Sequence, residues 1–407
     1  MGKSLLAKAI AACQEQNWSS AQDYLYQLIT TTELGAKDAF PLTDEEHGEL
    51  AAIAMDILRH GSFDDKWNVS KLIPKLDPGI KTDLIRMAQD TAIDLDCRWF
   101  AIRSLASFQD VEVVWCLLAL MHKTPEEQLQ QIAAEVISHL GIEVIDQLTN
   151  LLVEPNSKLS VMQAFSHMRL PEVIPPTLTV LTDPDPHIRA LGINILASFP
   201  RMETAAALIN ALQDHSSEVR LEAVIGLRMM IRLLEPEQLC ELLAPLLHDL
   251  NFKVCSETAI TLGKIKSDQV EIIFTEVITS DLTPLELVLT MIKVLGWRDS
   301  ESSLNLIGKI VTDGDDRVLK MIAKTLSKVK NPTLKPQAAK ILNDLYESNY
   351  LIVSKSSTIK QAIAYAAGHL GESINKPLLN ILAKDDHPRV RLHSQKALEK
   401  LEISPGI

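Results

Sequence analysis

Apolar residues recur three and four places apart along most of the chain, and few runs alternate with period two. That spacing predicts amphipathic helices and no sheet. Short polar turns separate the helical stretches, as at Asp183-Pro184-Asp185-Pro186 and Asp385-Asp386-His387-Pro388. Such turns stop one helix and offer a carboxylate or a fixed φ to the start of the next.

The turns repeat. Residues 183–196 overlay on residues 214–227, each with an acid, a polar turn, an apolar residue followed by Arg, and Leu eight places after the apolar residue. The frame returns at Val390 with Leu398 and at Val318 with Leu326, and more weakly at Cys97, Leu129, Val254 and Leu287. Leu159 and Ile359 complete it as degenerate members, giving ten apolar anchors at 97, 129, 159, 188, 219, 254, 287, 318, 359 and 390. Their intervals are 32, 30, 29, 31, 35, 33, 31, 41 and 31 residues. Anchor and Leu at i and i+8 share a helical face, and the small residues between them, such as Ala101, Gly192, Ala223, Ala259 and Ala364, let neighbouring helices approach. Each unit carries a second apolar helix, as at 205–212 and 376–382. A two-helix unit cannot bury both faces alone, so the expected solution is a stack with one continuous core.

The frame Asp-x-x-Val-Arg-x-x-Ala-x-x-x-Leu, clearest at 183–263 and 386–398, resembles the HEAT-like repeat of phycocyanobilin lyases and of bacterial scaffold proteins. The overall layout is similar to that of cyanobacterial HEAT-repeat proteins. The resemblance implies an all-α fold, an α-α superhelix in which about ten HEAT-like units over 93–402 form a solenoid behind a helical N-terminal cap at 1–92. It further implies a non-catalytic protein-interaction scaffold or assembly factor that holds a partner on the concave face, made by the second helices. The alternative it carries is a bilin lyase-like or pigment- or cofactor-handling chaperone subunit. HEAT-like hydroxylases hold iron with repeated His-Glu dipeptides, whereas none of the 11 histidines here is followed by Glu. No catalytic residue, metal ligand or cofactor is therefore assigned.

Residues 1–92 depart from the frame. Stretches 5–16 and 19–31 read as a helical hairpin with Trp18 at its corner, 35–41 as a loop, and Thr43-Asp44-Glu45-Glu46 as a capping box. Ten of the 18 aromatic residues, Phe40 among them, fall within the first 115 positions. Large side chains of this kind fill gaps in a capping domain or mark a binding hot spot, which makes Trp67, Trp99 and Trp115 candidate partner contacts. Further along, Lys320, Lys324 and Lys328 share one face of a helix, a candidate docking patch for an acidic partner. The 41-residue interval after Val318 holds about ten surplus residues, and insertions in repeat arrays fall on loops that often bind. Tyr346 and Tyr350 beside it are the remaining candidates, and deleting 348–356 is expected to leave helicity intact. Arg98, Arg189, Arg220 and Arg391, each one place after an anchor, are expected to bond the preceding turn's carboxylates, such as Asp183, Glu218 and Asp386.

Charge and cysteines narrow the setting. A net charge of -13 repels phosphate backbones, so nucleic acid is not an expected partner, and it suits a basic protein. Five cysteines without a C-x-x-C pair read as free thiols in a reducing compartment. With no secretory signal and no long apolar span, the expected place is the cytoplasm, and homodimerisation stays open.

Overall fold

Among the described residues every regular element is helical, as the three-and-four spacing predicts. The computed structural model describes residues 2–33, 43–311, 315–353 and 355–403. The first helices are α1 (Gly2–Gln14), α2 (Trp18–Glu33), α3 (Asp44–His60), α4 (Phe63–Ser70), α5 (Ile80–Gln89) and α6 (Leu95–Ser104). They are followed by α7 (Val111–Lys123), α8 (Glu127–Ser138), α9 (Ile142–Leu151), α10 (Pro155–His167), α11 (Ile174–Thr179) and α12 (Pro186–Ala197). Then come α13 (Met202–Ala211), α14 (Ser217–Met229), α15 (Pro236–Leu243), α16 (Phe252–Leu262), α17 (Gln269–Ile278), α18 (Leu285–Arg298) and α19 (Glu301–Ile310). The last six are α20 (Asp316–Leu326), α21 (Lys335–Ser348), α22 (Tyr350–Val353), α23 (Ser357–Leu370), α24 (Lys376–Leu382) and α25 (Pro388–Ile403). They divide, within α12, into two units, Met1–Ile195 and Leu196–Ile407.

Each unit is a stack of helical hairpins, the α-α solenoid expected of the repeat. In the first unit α2, α4, α6, α8 and α10 pack in succession as one layer, and α1, α3, α5, α7 and α9 as the other. In the second unit α14, α16, α18, α20, α23 and α25 form the anchor-bearing layer, and α15, α17, α19 and α21 pack in turn behind it. The 1–92 segment is built on the same plan: α1 with α2 and α3 with α4 are hairpins on the end of the stack. Thr43 and Glu46 form the expected reciprocal capping box at the start of α3. Trp18 stacks on His60 with ring centroids 5.4 Å apart. The expected loop at 35–41, with Phe40, lies outside the described residues.

Nine of the ten anchors are buried, including Leu129, Val254, Ile359 and Val390 at 0% exposure. Leu159 is the exception at 40%. On α10 the buried residues are Val161, Met162, Ala164 and Phe165. The position equivalent to the anchor is Ser157, and Lys158 after it bonds Asp183 at 2.5 Å as Lys360 after Ile359 bonds Asp385 at 2.5 Å. The anchor of this unit is thus a small polar residue, two places before the leucine that periodicity suggested.

Except at Val288 and Leu319, which are buried and apolar, the residue after the anchor bonds a turn, but not as expected. Nη1 of Arg189, Arg220 and Arg391 donates to the carbonyls of Asp183, Asp214 and Asp385, each at 2.7 Å. Gln130 Nε2 and Cys255 Sγ make the same contact six residues back, to Thr124 and Asp249. Carboxylates are met one repeat ahead: Arg220 grips Asp249 at 2.6 and 2.8 Å, and Arg98 approaches Glu126 at 3.5 Å. Those carboxylates also cap their own turns, as where Asp249 accepts the Asn251 N–H at 2.8 Å.

The surplus of the long unit is packed rather than looped out. It lengthens α21 and adds the single turn α22. Asn349, 7% exposed, donates from Nδ2 to the Val311 carbonyl at 2.6 Å, and Val353 is fully buried. Removing 348–356 would therefore take buried contacts out of the stack, against the expectation of a dispensable surface loop.

Candidate functional site

Because the layers stack with a nearly constant period, residues one period apart in sequence become neighbours across the surface. Six and ten places after the anchors Leu287, Val318 and Ile359 stand Lys293 and Trp297 on α18, Lys324 on α20 with Lys328 in the turn after it, and Tyr365 and His369 on α23. The lysines of this row and His369 are exposed, and Trp297 and Tyr365 are 47% and 48% exposed. Lys293 Nζ lies 5.3 Å from the centre of the Trp297 ring. Tyr365 packs on His369 at 4.3 Å and meets the edge of His393, from α25, at 6.2 Å.

Between these side chains lie two adjoining hollows. One, of about 480 Å³, has Gly296, Met321, Thr325 and Tyr365 in its lining, with Lys293, Lys324, Lys328 and His369 around them. The other, of about 710 Å³, shares Gly296, Ser327, Lys328 and His369 and adds Trp297, Val329, Lys330 and Lys335. Its one carboxylate, Asp299, is engaged from within: Oδ2 accepts the Asn331 N–H at 3.0 Å, and Oδ1 is buried without a protein partner. The lining of the two hollows thus sets five lysines against a single acid. Gly296 makes the floor narrow, since a Cβ there would come within 2.3 Å of Thr325 Cγ2. Only a glycine allows α18 and α20 this approach.

The eight residues nominated from sequence do not form one site. Lys324 and Lys328 line the hollows, while Lys320, also on α20, is half-buried and does not. Tyr346 is half-buried on α21, in the other layer, and the Tyr350 side chain lies outside the described residues. In the first unit Trp67 and Trp99 are half-buried in a ring cluster with Phe63 and Phe100. The Arg103 guanidinium lies 4.4 Å from the Trp67 ring and 5.6 Å from the Trp99 ring, and Lys71 lies 5.3 Å from Trp67. Both indoles therefore already hold cations from their own chain. Trp115 is half-buried on α7 in the opposite layer.

Sequence reasoning found the lysines by their spacing along one helix and missed Lys293, Trp297, Tyr365 and His369. Adding the repeat interval would have found them. The 31 residues from Leu287 to Val318 carry Lys293 to Lys324 and Trp297 to Lys328, and the 41 to Ile359 carry these on to Tyr365 and His369.

Burial pushes Cys116 up to about 12 and Cys240 up to about 11, so both stay protonated at neutral pH. Among the described residues no three His, Cys, Asp or Glu side chains gather in a way that could hold a metal ion, and no helix is long and apolar enough to cross a membrane.

A family model described as HEAT repeats matches residues 174–260. Those residues are similar to HEAT repeats. No curated protein matches the chain. Among solved structures, an engineered protein is 18% identical with a TM-score of 0.36, covering 92% of this chain and 98% of that one. Human deoxyhypusine hydroxylase is 16% identical with a TM-score of 0.27, over 67% of this chain and 99% of its own. Importin beta is 13% identical with a TM-score of 0.42, over 97% of this chain and 59% of its own. Likenesses this distant assign no ligand, activity or partner to this chain.

Proposed function

We propose that the chain is a protein-interaction scaffold whose partner lies along the anchor-bearing layer of the second unit. One observation carries the reading: exposed cations and half-exposed aromatics from three successive repeats line a single pair of adjoining hollows. Binding by such a surface comes from many modest contacts along the array. In the anchor-bearing layer a Cβ added at Gly263 would lie 2.0 Å from Val294 and one at Gly296 2.3 Å from Thr325, whereas in the layer behind one at Gly308 would lie 3.6 Å from Ile341. A stack bends toward its closer layer, so this layer, and not the helices behind it, is the concave side in this proposal. Cytoplasmic placement fits the five free thiols. Kinship with cyanobacterial repeat proteins rests on the overall layout of the sequence alone, and it serves here to suggest where a partner is to be sought. None of the proteins matched above is named as a pigment lyase, and no feature of the described residues favours the pigment-handling alternative.

The test is affinity capture from native cells with the full chain and with the Lys324→Glu/Lys328→Glu double variant, both checked by circular dichroism. Proteins retained by the first and lost by the second support the scaffold. Identical captures from both, or a coloured small molecule as the sole retained species, would overturn it. Light scattering on the same preparations tells whether the bound partner is a second copy.

A further inference from the structure

We infer that the paired hollows across α18, α20 and α23 bind an extended acidic peptide segment bearing one large apolar side chain. The inference rests on the scaffold reading and names the chemistry of the partner. Three features lead to it. The first is charge: Lys293, Lys324, Lys328, Lys330 and Lys335 line the hollows, and the one carboxylate there, Asp299, already accepts from Asn331. On a chain of net charge -13 this is a local reversal of sign, complementary to carboxylates and repelled by the rest of the surface no more than any short acidic segment.

The second feature is the smaller hollow. Gly296, Met321, Thr325 and the Tyr365 ring form an apolar patch of its lining, with ammonium groups around it. A lone anion would leave that patch uncovered, whereas a Phe, Leu or Trp side chain flanked by acids covers it while its neighbours meet the lysines. The third is length. Helices in such a layer stand about 8–10 Å apart, so α18 to α23 spans about 16–20 Å, the reach of about six extended residues.

Nucleic acid fits less well. Its binding needs a continuous basic track, and although Lys396 and Lys400 hold the equivalent positions one repeat later, those one and two repeats earlier are Ile260 and Lys264, then Ile225 and Met229. The row therefore thins to Lys264 alone on the repeat before α18 and carries no cation at these positions on α14.

The experiment is a display selection of random heptapeptides on the full chain and on the Lys324→Glu/Lys328→Glu variant, followed by fluorescence anisotropy of one selected peptide. Wild-type chain should enrich sequences with three or more acids around one large apolar residue, and the variant should not. The labelled peptide should bind about tenfold more weakly to the variant, and more weakly to wild type as salt rises from about 50 to about 300 mM. Replacing its apolar residue by Gly, or Tyr365 by Ser in the protein, should each weaken binding about threefold or more. Neutral or basic consensus sequences, or equal enrichment on both chains, would overturn the assignment. So would tighter lysine-dependent binding of inositol hexakisphosphate or of single-stranded oligothymidine. Captured proteins that depend on Lys324 and Lys328, together with a non-acidic consensus, would leave the scaffold standing and remove only the acidic ligand. An acidic consensus with no captured protein would do the reverse.

Discussion

At Leu159 periodicity chose the nearest apolar residue because this repeat carries Ser157 where the others carry an aliphatic anchor. The consequence is a sharp contrast between neighbours on α10. Phe165→Ala removes a fully buried ring and should cost about 3–5 kcal/mol, while Leu159→Ala, at 40% exposure, should stay within about 1 kcal/mol. Urea denaturation of the two variants measures this, and equal losses would restore Leu159 as the anchor. The turn carboxylates make a second prediction. Burial pushes the Asp249 carboxyl up, but hydrogen bonds from the Arg220 guanidinium and the Asn251 N–H outweigh it and hold the group below its ordinary value of 3.8. Asp183 beside Lys158, and Asp385 beside Lys360, are lowered by the same balance. A carboxylate depressed in the folded state contributes its full stability above the ordinary value and loses it as pH falls through the folded one. The ladder should therefore fail only in acid, below pH 3.8. In Arg220→Gln only the Asn251 N–H is left to oppose burial at Asp249, so acid unfolding followed by circular dichroism should begin at higher pH. At neutral pH the variant should lose about 3 kcal/mol, since a carboxylate with 6% of its side chain exposed is left without its cation.

Helices and their pairing were legible wherever the signal is local. The capping box at Thr43 and the hairpin around Trp18 depend on residues within one or two turns, and both stand where the sequence put them. What a repeat does with its neighbours was less legible. The Arg ladder was expected on side-chain acids, yet much of it falls on turn carbonyls, which no side-chain pattern displays. The candidate site shows the same limit, because Trp297 acquires meaning only beside Lys328 and His369, and Tyr365 only beside Lys293 and Lys324, all from other repeats. Spacing between helices is likewise hidden in residue type, and two glycines separate the cases. Gly263 ends α16 where an added Cβ would lie 2.0 Å from Val294 Cγ1, so Gly263→Ala should destabilise by about 1–3 kcal/mol. Gly48, inside α3, has nothing within 4 Å of that position, and Gly48→Ala should stabilise by about 0.5–1 kcal/mol through the unfolded chain. Thermal melts of both should move in opposite directions, and a shared sign would mean that helix propensity, not spacing, governs these sites.

At the scale of the molecule, the N-terminal segment looked foreign in sequence because it lacks the Val-Arg frame and concentrates bulky aromatics. Its helices nevertheless extend the same two layers, α2 on α4 and α4 on α6. A boundary at residue 92 falls in the turn between α5 and α6, inside a hairpin whose two helices pack on each other. A stack of this kind is stable as a sum of hairpins and the interfaces between them, so where it is cut matters more than how much is removed. Deleting residues 1–78 takes away two whole hairpins and leaves α5 on α6. Deleting 1–92 removes α5 as well, and with it the buried Leu84, Met87 and Ala88 of the helix that packs on α6. The longer deletion should aggregate in size-exclusion chromatography or melt well below the shorter one, although it removes only 14 further residues. If the two truncated chains melt together, α5 belongs energetically to the cap, and the aromatic-rich segment is a domain in its own right rather than the first hairpins of the array.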